Sequence, residues 1–373
     1  MRSIKNLSTV ILRLSGLFSV VFLCGSFISF SSPADMCGPD PLKVRISTIV
    51  KGKSKVGLLV GLIKDGKRHV FRYGRRSLTD NRVPDGDTVF EIGSITKTFT
   101  GTILADMVLK KELSDTDPVS KFIPQDTLKL PLTDGKEITL RDLAQHVSGI
   151  PAMPDNIPDL LTRPNPLSGY TPEMMFQSLN RCKLDFPTGS RHSYSNSGFG
   201  LLAYILTVKS EKTYEQLVTD RIFTPLGMTN STVELTEKQK KNISTGYSFL
   251  VEEQPYWTAT DILSGSGFIK STLNDMFLYL EAVMGKETVL KQAFGIASSE
   301  LRDGYPGTWI GYGWYTELMK NGEKIVCHNG ATGGFYAFIG FSKSTGVGLI
   351  ILSNHKNYRE LDPLGYEILT KIR

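Results

Sequence analysis

The sequence predicts an α+β fold in which an antiparallel sheet is flanked by helices and carries an inserted, mainly helical domain. Short apolar runs bounded by turn residues occur near both ends of the chain, within residues 42–100 and 290–373. Residues 104–251, approximately, show helical periodicity, frequent prolines and long polar loops instead. Strands at both ends with helices between them favour one sheet assembled from the two termini. We expect the functional site in the cleft where the sheet and the helical insert meet.

The predicted strands begin with a hairpin. Residues 56–63 read VGLLVGLI, residues 64–67 (KDGK) supply turn chemistry, and an extended pattern resumes over residues 69–73. Further extended segments occur near the C-terminus, where glycines and Ser/Lys turns separate them: residues 308–316, 324–328, 335–341 and 347–352.

The N-terminal segment has the pattern of an export signal. Three basic residues precede the uncharged stretch LSGLFSVVFLCGSFISF over residues 14–30, and small residues follow it. We therefore expect residues 1–34 to be a signal peptide, or a retained N-terminal anchor, ahead of a catalytic domain over residues 35–373. The protein is expected to be exported to the periplasm or the extracellular space, and to associate with the membrane if the segment is retained.

Composition and motifs argue against several other functions. The 373 residues include 43 Lys and Arg against 37 Asp and Glu, and the resulting net charge of +6 lies partly in the N-terminal segment. No Lys/Arg-rich block interleaves with aromatic residues, so we expect no nucleic-acid partner. The five histidines are scattered and the four cysteines form no CxxC pair, so we expect neither a metal nor a cofactor. The sequence also lacks the Gly-x-Ser-x-Gly, Walker and Rossmann glycine patterns.

A serine and a lysine three residues apart form the most informative motif. In FEIGSITKTFTG, residues 90–101, Ser94 follows Gly93 and precedes a run with the apolar spacing of a helical face. We predict that Ser94 begins this helix, where its backbone N–H is free of the helical ladder and can donate to an oxyanion. Lys97 lies on the same face of the helix. Desolvation would lower the pKa of its ammonium and allow it to help remove the serine proton.

A tyrosine and an asparagine two residues apart form the second motif. Tyr194 and Asn196 lie in SYSNSGFGLL over residues 193–202, which follows FPTGS at residues 186–190. A phenolate is favoured beside a lysine ammonium, so Tyr194 is expected to accept the serine proton and later to activate the deacylating water. Asn196 offers an amide donor and acceptor that can hold a substrate amide or orient Lys97.

The third motif is CHNGATGGF over residues 327–335, which runs into the apolar strand YAFIGF. Gly330 would let a substrate backbone approach the edge of this strand, because no Cβ stands in the way. His328 lies two residues before this glycine. The motif therefore predicts a strand edge at which substrate binds.

Together the three motifs resemble those of class C β-lactamases and the related low-molecular-weight penicillin-binding proteins and esterases. They occur in the order that this family uses, and similar stretches at residues 139–151, 223–228 and 265–272 extend the match. The resemblance implies the β-lactamase/transpeptidase-like fold. It also implies a role for each motif residue: catalysis for Ser94, Lys97 and Tyr194, substrate binding for Asn196, His328 and Gly330, and an oxyanion-hole N–H from Ala331.

The same resemblance implies a serine hydrolase that forms an acyl-enzyme. Its substrates would be β-lactams or the D-alanyl peptides of peptidoglycan that β-lactams mimic. Two alternatives stay open. The first is an esterase on the same scaffold, and the second is a non-catalytic binding or assembly protein that kept the fold.

One residue departs from the β-lactamase pattern, because His328 replaces the lysine of the family's Lys-Thr-Gly triplet. An exposed imidazole titrates near pH ~6.5 and is largely neutral at pH ~7, so it attracts a substrate carboxylate less than a lysine does. If His328 binds that carboxylate, hydrolysis of penicillin-like substrates is expected to strengthen as the pH falls from about 8 to about 6.

Overall fold

The structure is a computed structural model that describes residues 40–52, 56–157, 165, 167–258, 260 and 262–372. The predicted signal peptide at residues 1–34 lies outside these residues. Among the residues that are described, no helix is both long enough and apolar enough to cross a membrane.

Strands from both ends of the chain form one large antiparallel sheet. In chain order the strands are β1 (Gly57–Lys64), β2 (Lys67–Gly74), β3 (Val89–Glu91), β4 (Gly246–Tyr247), β5 (Glu253–Gln254), β6 (Lys270–Thr272), β7 (Arg302–Asp303), β8 (Thr308–Ile310), β9 (Tyr315–Leu318), β10 (Lys324–Ala331), β11 (Tyr336–Ser342) and β12 (Gly348–Ser353). The sheet has the order β2-β1-β12-β11-β10-β9-β8-β7. The two ends of the chain meet where β1 pairs with β12, with Val60 opposite Ile351. The predicted antiparallel sheet is therefore confirmed.

The prediction of a single strand over residues 308–316 is wrong, because the chain turns between β8 and β9. Gly313 in this turn has a φ of +72°, and a Cβ added there would lie 2.4 Å from the backbone oxygen of Lys97. Glycine alone accepts both the positive φ and so close an approach. The turn therefore brings the sheet against the backbone of the segment that carries Lys97. The strand predicted over residues 324–328 is longer than expected, because β10 continues to Ala331.

Helices cover both faces of the sheet. They are α1 (Asp40–Val50), α2 (Thr96–Leu109), α3 (Leu140–Ala144), α4 (Pro172–Arg181), α5 (Asn196–Ser210), α6 (Tyr214–Val218), α7 (Thr224–Leu226), α8 (Glu237–Lys240), α9 (Ser264–Gly267), α10 (Leu273–Val283), α11 (Lys291–Ala297) and α12 (Tyr358–Lys371). Side chains alternate between the faces along β1, as a strand requires. Leu58 and Val60 pack with residues of α1 and α12, whereas Leu59 packs in the larger core on the other face.

Helix α2 lies at the centre of the larger core and is buried from Thr96 to Met107. A helix that is apolar or uncharged on nearly every side suits such a position. The hydroxyls of Thr98, Thr100 and Thr102 donate to backbone oxygens, as in the 2.7 Å hydrogen bond from Thr100 to Gly265 O. Because core side chains surround it, α2 gives Ser94 and Lys97 a rigid support.

Helices α3 to α8 lie within the region predicted to be the helical insert. One hydrophobic core joins them to the sheet, since Leu59 of β1 and Leu201 of α5 belong to the same cluster of buried side chains. The boundaries of the insert, at residues 104 and 251, stay a prediction.

Candidate active site

Ser94 lies in a single 3₁₀ turn, Gly93–Ile95, between β3 and α2. One residue, Ile92, separates β3 from the turn, and α2 begins directly after the turn, so Ser94 precedes the α-helix rather than starting it. Ser94 is partly exposed, whereas Gly93 and Ile95 on either side are buried. The first N–H groups of a helix have no intrahelical acceptor. The hydroxyl and the backbone N–H of Ser94 are therefore both available to a ligand.

Lys97 is fully buried and its Nζ has three hydrogen-bond partners. Its Nζ lies 3.2 Å from the Oγ of Ser94, 2.7 Å from the Oδ1 of Asn196 and 2.5 Å from the backbone oxygen of Ser266 in α9. No carboxylate within the described chain forms a salt bridge with it. Burial lowers the pKa of Lys97 well below its ordinary value, since nothing near it compensates the charge.

The three partners of Lys97 also suit its neutral amine, the state in which it can act as a base. A neutral amine has two N–H groups and one lone pair. The Ser266 carbonyl and the Asn196 Oδ1 can only accept hydrogen bonds, so they take the two N–H groups. The lone pair then faces Ser94, whose hydroxyl is the partner that has a proton to give. The arrangement can therefore move the Ser94 proton to the Lys97 amine.

Tyr194 lies against both of these groups. Its ring centroid is 4.8 Å from the Lys97 Nζ, and the Ser94 hydroxyl is close enough to the phenol to act on its pKa. Burial raises the pKa of the Tyr194 phenol above its ordinary value, by more than the Ser94 hydrogen bond lowers it. The expectation of a favoured phenolate is wrong, because the phenol keeps its proton near neutral pH. In its resting state Tyr194 can therefore donate a proton but cannot remove one.

Two backbone segments meet beside the Ser94 hydroxyl, and glycines permit the contact. A Cβ added to Gly330 would lie 2.0 Å from the backbone oxygen of Ile92 and 2.7 Å from the backbone nitrogen of Ser94. A Cβ added to Gly93 would lie 2.7 Å from the backbone nitrogen of Ala331. The N–H groups of Ser94 and Ala331 therefore lie close together. Two such donors are the elements of an oxyanion hole.

The substrate edge predicted at β10 is open. Strand β9 pairs with β10 only from Lys324 to Cys327, so no strand of the described residues lies on that side of residues 328–331. On the other side they pair with β11, with Gly330 opposite Ala337. An extended substrate backbone can therefore lie along this edge.

A buried carboxylate links the two segments that meet at Ser94. Glu91, the last residue of β3, is 2% exposed and accepts a 2.6 Å hydrogen bond from the Thr332 hydroxyl. Its other oxygen accepts a 2.5 Å hydrogen bond from the backbone N–H of Trp257. Thr332 directly follows Ala331, and Glu91 precedes Ser94 by three residues. Glu91 therefore fixes the position of Ala331 relative to Ser94.

We expect Thr332→Val to lower kcat about 10-fold, less than the ~10²–10³-fold that follows loss of an oxyanion-hole donor. The substitution keeps the shape of the side chain but removes the hydroxyl that Glu91 binds, so Ala331 loses its restraint. Thr332→Ser keeps the hydroxyl and should retain most of the activity. Steady-state hydrolysis of a nitrophenyl ester gives kcat and KM for each variant. A lowered melting temperature with unchanged kcat in Thr332→Val would contradict this role of Glu91.

His328 differs from its expected state. The side chain is 3% exposed, so the expectation of an exposed imidazole is wrong. Burial, and to a lesser degree the charge of Lys97, lowers the pKa of His328 to about 3. The ring is therefore neutral between pH 6 and 8, and the expected strengthening of penicillin hydrolysis at pH 6 does not follow.

The hydrogen bonds of His328 also fix its tautomer. Nδ1 lies 2.5 Å from the backbone oxygen of Asn329, which can only accept, so Nδ1 carries the proton. Nε2 then has a lone pair, and no hydrogen-bond partner for it occurs among the described residues. A lone pair repels a carboxylate and accepts from a donor. His328 therefore offers a carboxylate neither a positive charge nor a free N–H.

Three groups that contribute to the site could not be identified from the sequence motifs. They are the Ser266 carbonyl, Glu91 and Thr332. Glu91 and Thr332 lie inside two of the motif stretches, yet only the fold shows that they contact each other, since 241 residues separate them. As for metal ions, no group of three or more His, Cys, Asp or Glu side chains in the described part of the chain is arranged to hold one.

Comparisons with known proteins identify the family of this chain. A family model described as Beta-lactamase matches residues 45–369. A beta-lactamase of Escherichia coli (strain K12) is 25% identical over 91% of this chain and 93% of its own length. The D-alanyl-D-alanine-carboxypeptidase/endopeptidase AmpH of the same organism is 28% identical over 91% of each chain.

A solved structure supports the fold independently. A class C beta-lactamase aligns with a TM-score of 0.76 at 20% identity, over 89% of this chain and 97% of its own. The architecture predicted from the motifs is therefore confirmed. Since the family model spans most of the sequence, the chain belongs to the beta-lactamase family and is a serine hydrolase of the β-lactamase/DD-peptidase type.

Proposed function

We propose that this protein hydrolyses D-alanyl peptides of peptidoglycan, and the β-lactams that resemble them, through an acyl-enzyme on Ser94. The observation that carries the proposal is the set of contacts around Lys97, in which two acceptors hold the N–H groups and Ser94 faces the lone pair. A nucleophile beside a base that a further group orients is the general arrangement of covalent hydrolases. Among the curated relatives, one is named a D-alanyl-D-alanine-carboxypeptidase/endopeptidase and others are named beta-lactamases.

The reaction begins with attack of the Ser94 Oγ on the substrate carbonyl as its proton passes to the Lys97 amine. The carbonyl oxygen becomes an oxyanion, which the N–H groups of Ser94 and Ala331 bind. Tyr194 then donates its phenol proton to the leaving nitrogen and recovers a proton from the Lys97 ammonium. The C–N bond breaks and the acyl group stays on Ser94 as an ester. Asn196 holds Lys97 in place and presents its amide to the substrate.

Water completes the cycle. It attacks the acyl ester as its proton passes to the Lys97 amine, the Tyr194 phenol gives its proton to the departing Ser94 oxygen, and Tyr194 recovers a proton from the Lys97 ammonium. The same groups therefore serve both halves of the reaction, as microscopic reversibility allows.

A second candidate function is ester hydrolysis, and the neutral His328 favours it. A lone pair at Nε2 gives no attraction to the carboxylate that β-lactams and D-alanyl peptides carry. An acyl donor without a carboxylate would bind at this position without that disadvantage.

We further propose that the protein is exported, with residues 1–34 as the signal peptide and residues 35–373 as the catalytic domain. The basic head followed by an uncharged apolar stretch at residues 14–30 supports this proposal. Peptidoglycan peptides lie outside the cytoplasmic membrane, so export would bring the enzyme to its substrate. The N-terminal segment would also provide membrane attachment if it were retained.

Three probes separate the candidate activities. For a DD-peptidase we expect a fluorescent penicillin to remain covalently bound, and for a β-lactamase we expect rapid turnover of a chromogenic cephalosporin. An esterase without affinity for carboxylates should instead cleave short nitrophenyl esters alone. Ser94→Ala is the control, and it should eliminate every one of these reactions. No labelling or turnover with any probe, and no D-alanine release from a D-alanyl-D-alanine peptide, would contradict the proposed function.

A further inference from the structure

A cleft of about 650 Å³ opens beside the candidate active site. The loop at residues 189–193 forms one wall, and residues 302–306, which include β7, form the other. His192 in the first wall precedes Tyr194 by two residues, and its Nε2 lies 3.1 Å from the phenol oxygen of Tyr315. The Tyr315 ring in turn lies 5.5 Å from the ring of His328. The Tyr315 ring therefore lies between the cleft and His328, the residue that stands in place of the family's lysine.

The cleft carries positive charge that no described carboxylate neutralises. Arg302 donates one 3.0 Å hydrogen bond, from Nη1 to the backbone oxygen of Gly189, and this bond holds the guanidinium across the cleft. Its other N–H groups have no acceptor in the described part of the chain. Arg191 stacks on Phe186, with its guanidinium carbon 4.7 Å from the ring centroid. Asp303 also lines the cleft, but it is exposed and forms no salt bridge with either arginine.

A buried imidazole adds a third polar group to the same wall. His192 is 8% exposed, and its Nδ1 has no hydrogen-bond partner among the residues that the structure describes. When the Tyr315 hydroxyl donates to Nε2, the proton of the neutral ring lies on Nδ1. A buried donor without a partner is costly unless a ligand supplies an acceptor. The orphan nitrogen therefore points to a ligand that accepts hydrogen bonds.

We propose that this cleft is a subsite for a carboxylate of the substrate, bound by Arg302 with help from His192 and Arg191. The inference rests on the proposed function and deepens it, because it replaces His328 with Arg302 as the group that selects charged substrates. A guanidinium with free N–H groups binds a carboxylate through two parallel hydrogen bonds. The carboxylate belongs either to the leaving group or to the acyl side of a peptide substrate, and matched substrates distinguish the two.

The test uses two substrate pairs that differ only by a carboxylate. A D-alanyl-D-alanine peptide and its C-terminal amide report on the leaving group. Nitrophenyl hydrogen glutarate and nitrophenyl valerate report on the acyl side. Arg302→Gln should raise KM for the charged member of one pair about 10- to 100-fold, the loss expected for a charge-assisted hydrogen bond. The neutral member should stay within about 2-fold, and Arg302→Lys should recover part of the difference.

A matched control is Arg45→Gln, the same substitution at an exposed position on α1. It should leave both substrate pairs unchanged. Equal losses for charged and neutral substrates in Arg302→Gln would show a structural role, and no loss with any substrate would show an unused cleft. Either result overturns the proposal.

A binding measurement separates this subsite from the proposed function. Calorimetry with glutarate on the Ser94→Ala variant requires no turnover, so it reports on the cleft even if the proposed reaction fails. We expect binding in Ser94→Ala and its loss in the Ser94→Ala/Arg302→Gln double variant. Glutarate binding that is missing, or independent of Arg302, would overturn the subsite while leaving the catalytic proposal intact.

Discussion

Lys97→Met should reduce the acylation rate by about 10²–10⁴-fold, the range expected for loss of a positioned base. Methionine fills a similar buried volume but has no lone pair on nitrogen to take the Ser94 proton. The two acceptors of the amine, Asn196 Oδ1 and Ser266 O, would also lose their donor. Stopped-flow measurement of the first turnover of a chromogenic cephalosporin or a nitrophenyl ester reports this step directly.

The pH dependence gives a second sign of the same chemistry. The pKa of Lys97 is lowered by burial, and the amine is active above that pKa and inactive below it. The acylation rate of the wild type should therefore rise with pH through the lowered pKa and then become constant. Lys110→Met, at the exposed end of α2, is the matched control and should behave as wild type. Acylation by Lys97→Met within about 5-fold of the wild-type rate would exclude the amine as the base.

Gly330→Ala should lower kcat by about 10²–10³-fold, the loss typical when one oxyanion-hole donor is displaced. The added Cβ would lie 2.0 Å from the Ile92 backbone oxygen and 2.7 Å from the Ser94 backbone nitrogen, so the two segments must separate. These contacts are backbone atoms, which cannot rotate away as a flexible side chain can. The N–H groups of Ser94 and Ala331 would then no longer converge on one oxygen.

Gly295→Ala provides the control for this substitution. Gly295 lies inside α11, has no atom within 4 Å of an added Cβ, and does not have a positive φ. Alanine there should leave kcat unchanged and raise the free energy of unfolding by about 0.5–1 kcal/mol, because alanine suits a helix interior better. Comparing kcat and thermal unfolding for both variants separates loss of geometry from loss of fold. Equal kcat values for Gly330→Ala and the wild type would contradict the oxyanion hole described above.

The parts of the site that local spacing determines could be predicted from the sequence. Ser94 and Lys97 lie one turn apart, so any helical conformation brings them together, and the hydrogen bond between them follows. The sheet was predictable for a related reason, since the apolar runs and turns that form β1, β2, β11 and β12 are local patterns. The turn at Gly313 was not predicted, because it depends on a close contact with the backbone of Lys97, which is distant in the sequence.

The electrostatic state of the site could not be predicted, because burial is a property of the packed chain. His328 looks like a titratable surface group in the sequence. In the fold, the rings of Tyr194 and Tyr315 lie 6.3 and 5.5 Å from its ring and exclude water from it. The same burial reverses the expected direction of the Tyr194 pKa. The Ser266 carbonyl that binds Lys97 lies 169 residues away, a distance that no periodicity reports.

The most direct measurement is the site of covalent modification after brief exposure to a fluorescent penicillin and acid quenching. Intact-mass spectrometry followed by peptide mapping should show one adduct per chain, located on the peptide that contains Ser94, and Ser94→Ala should show none. An adduct on a different residue, or an adduct that persists unchanged in Ser94→Ala, would contradict the assignment of Ser94 as the nucleophile.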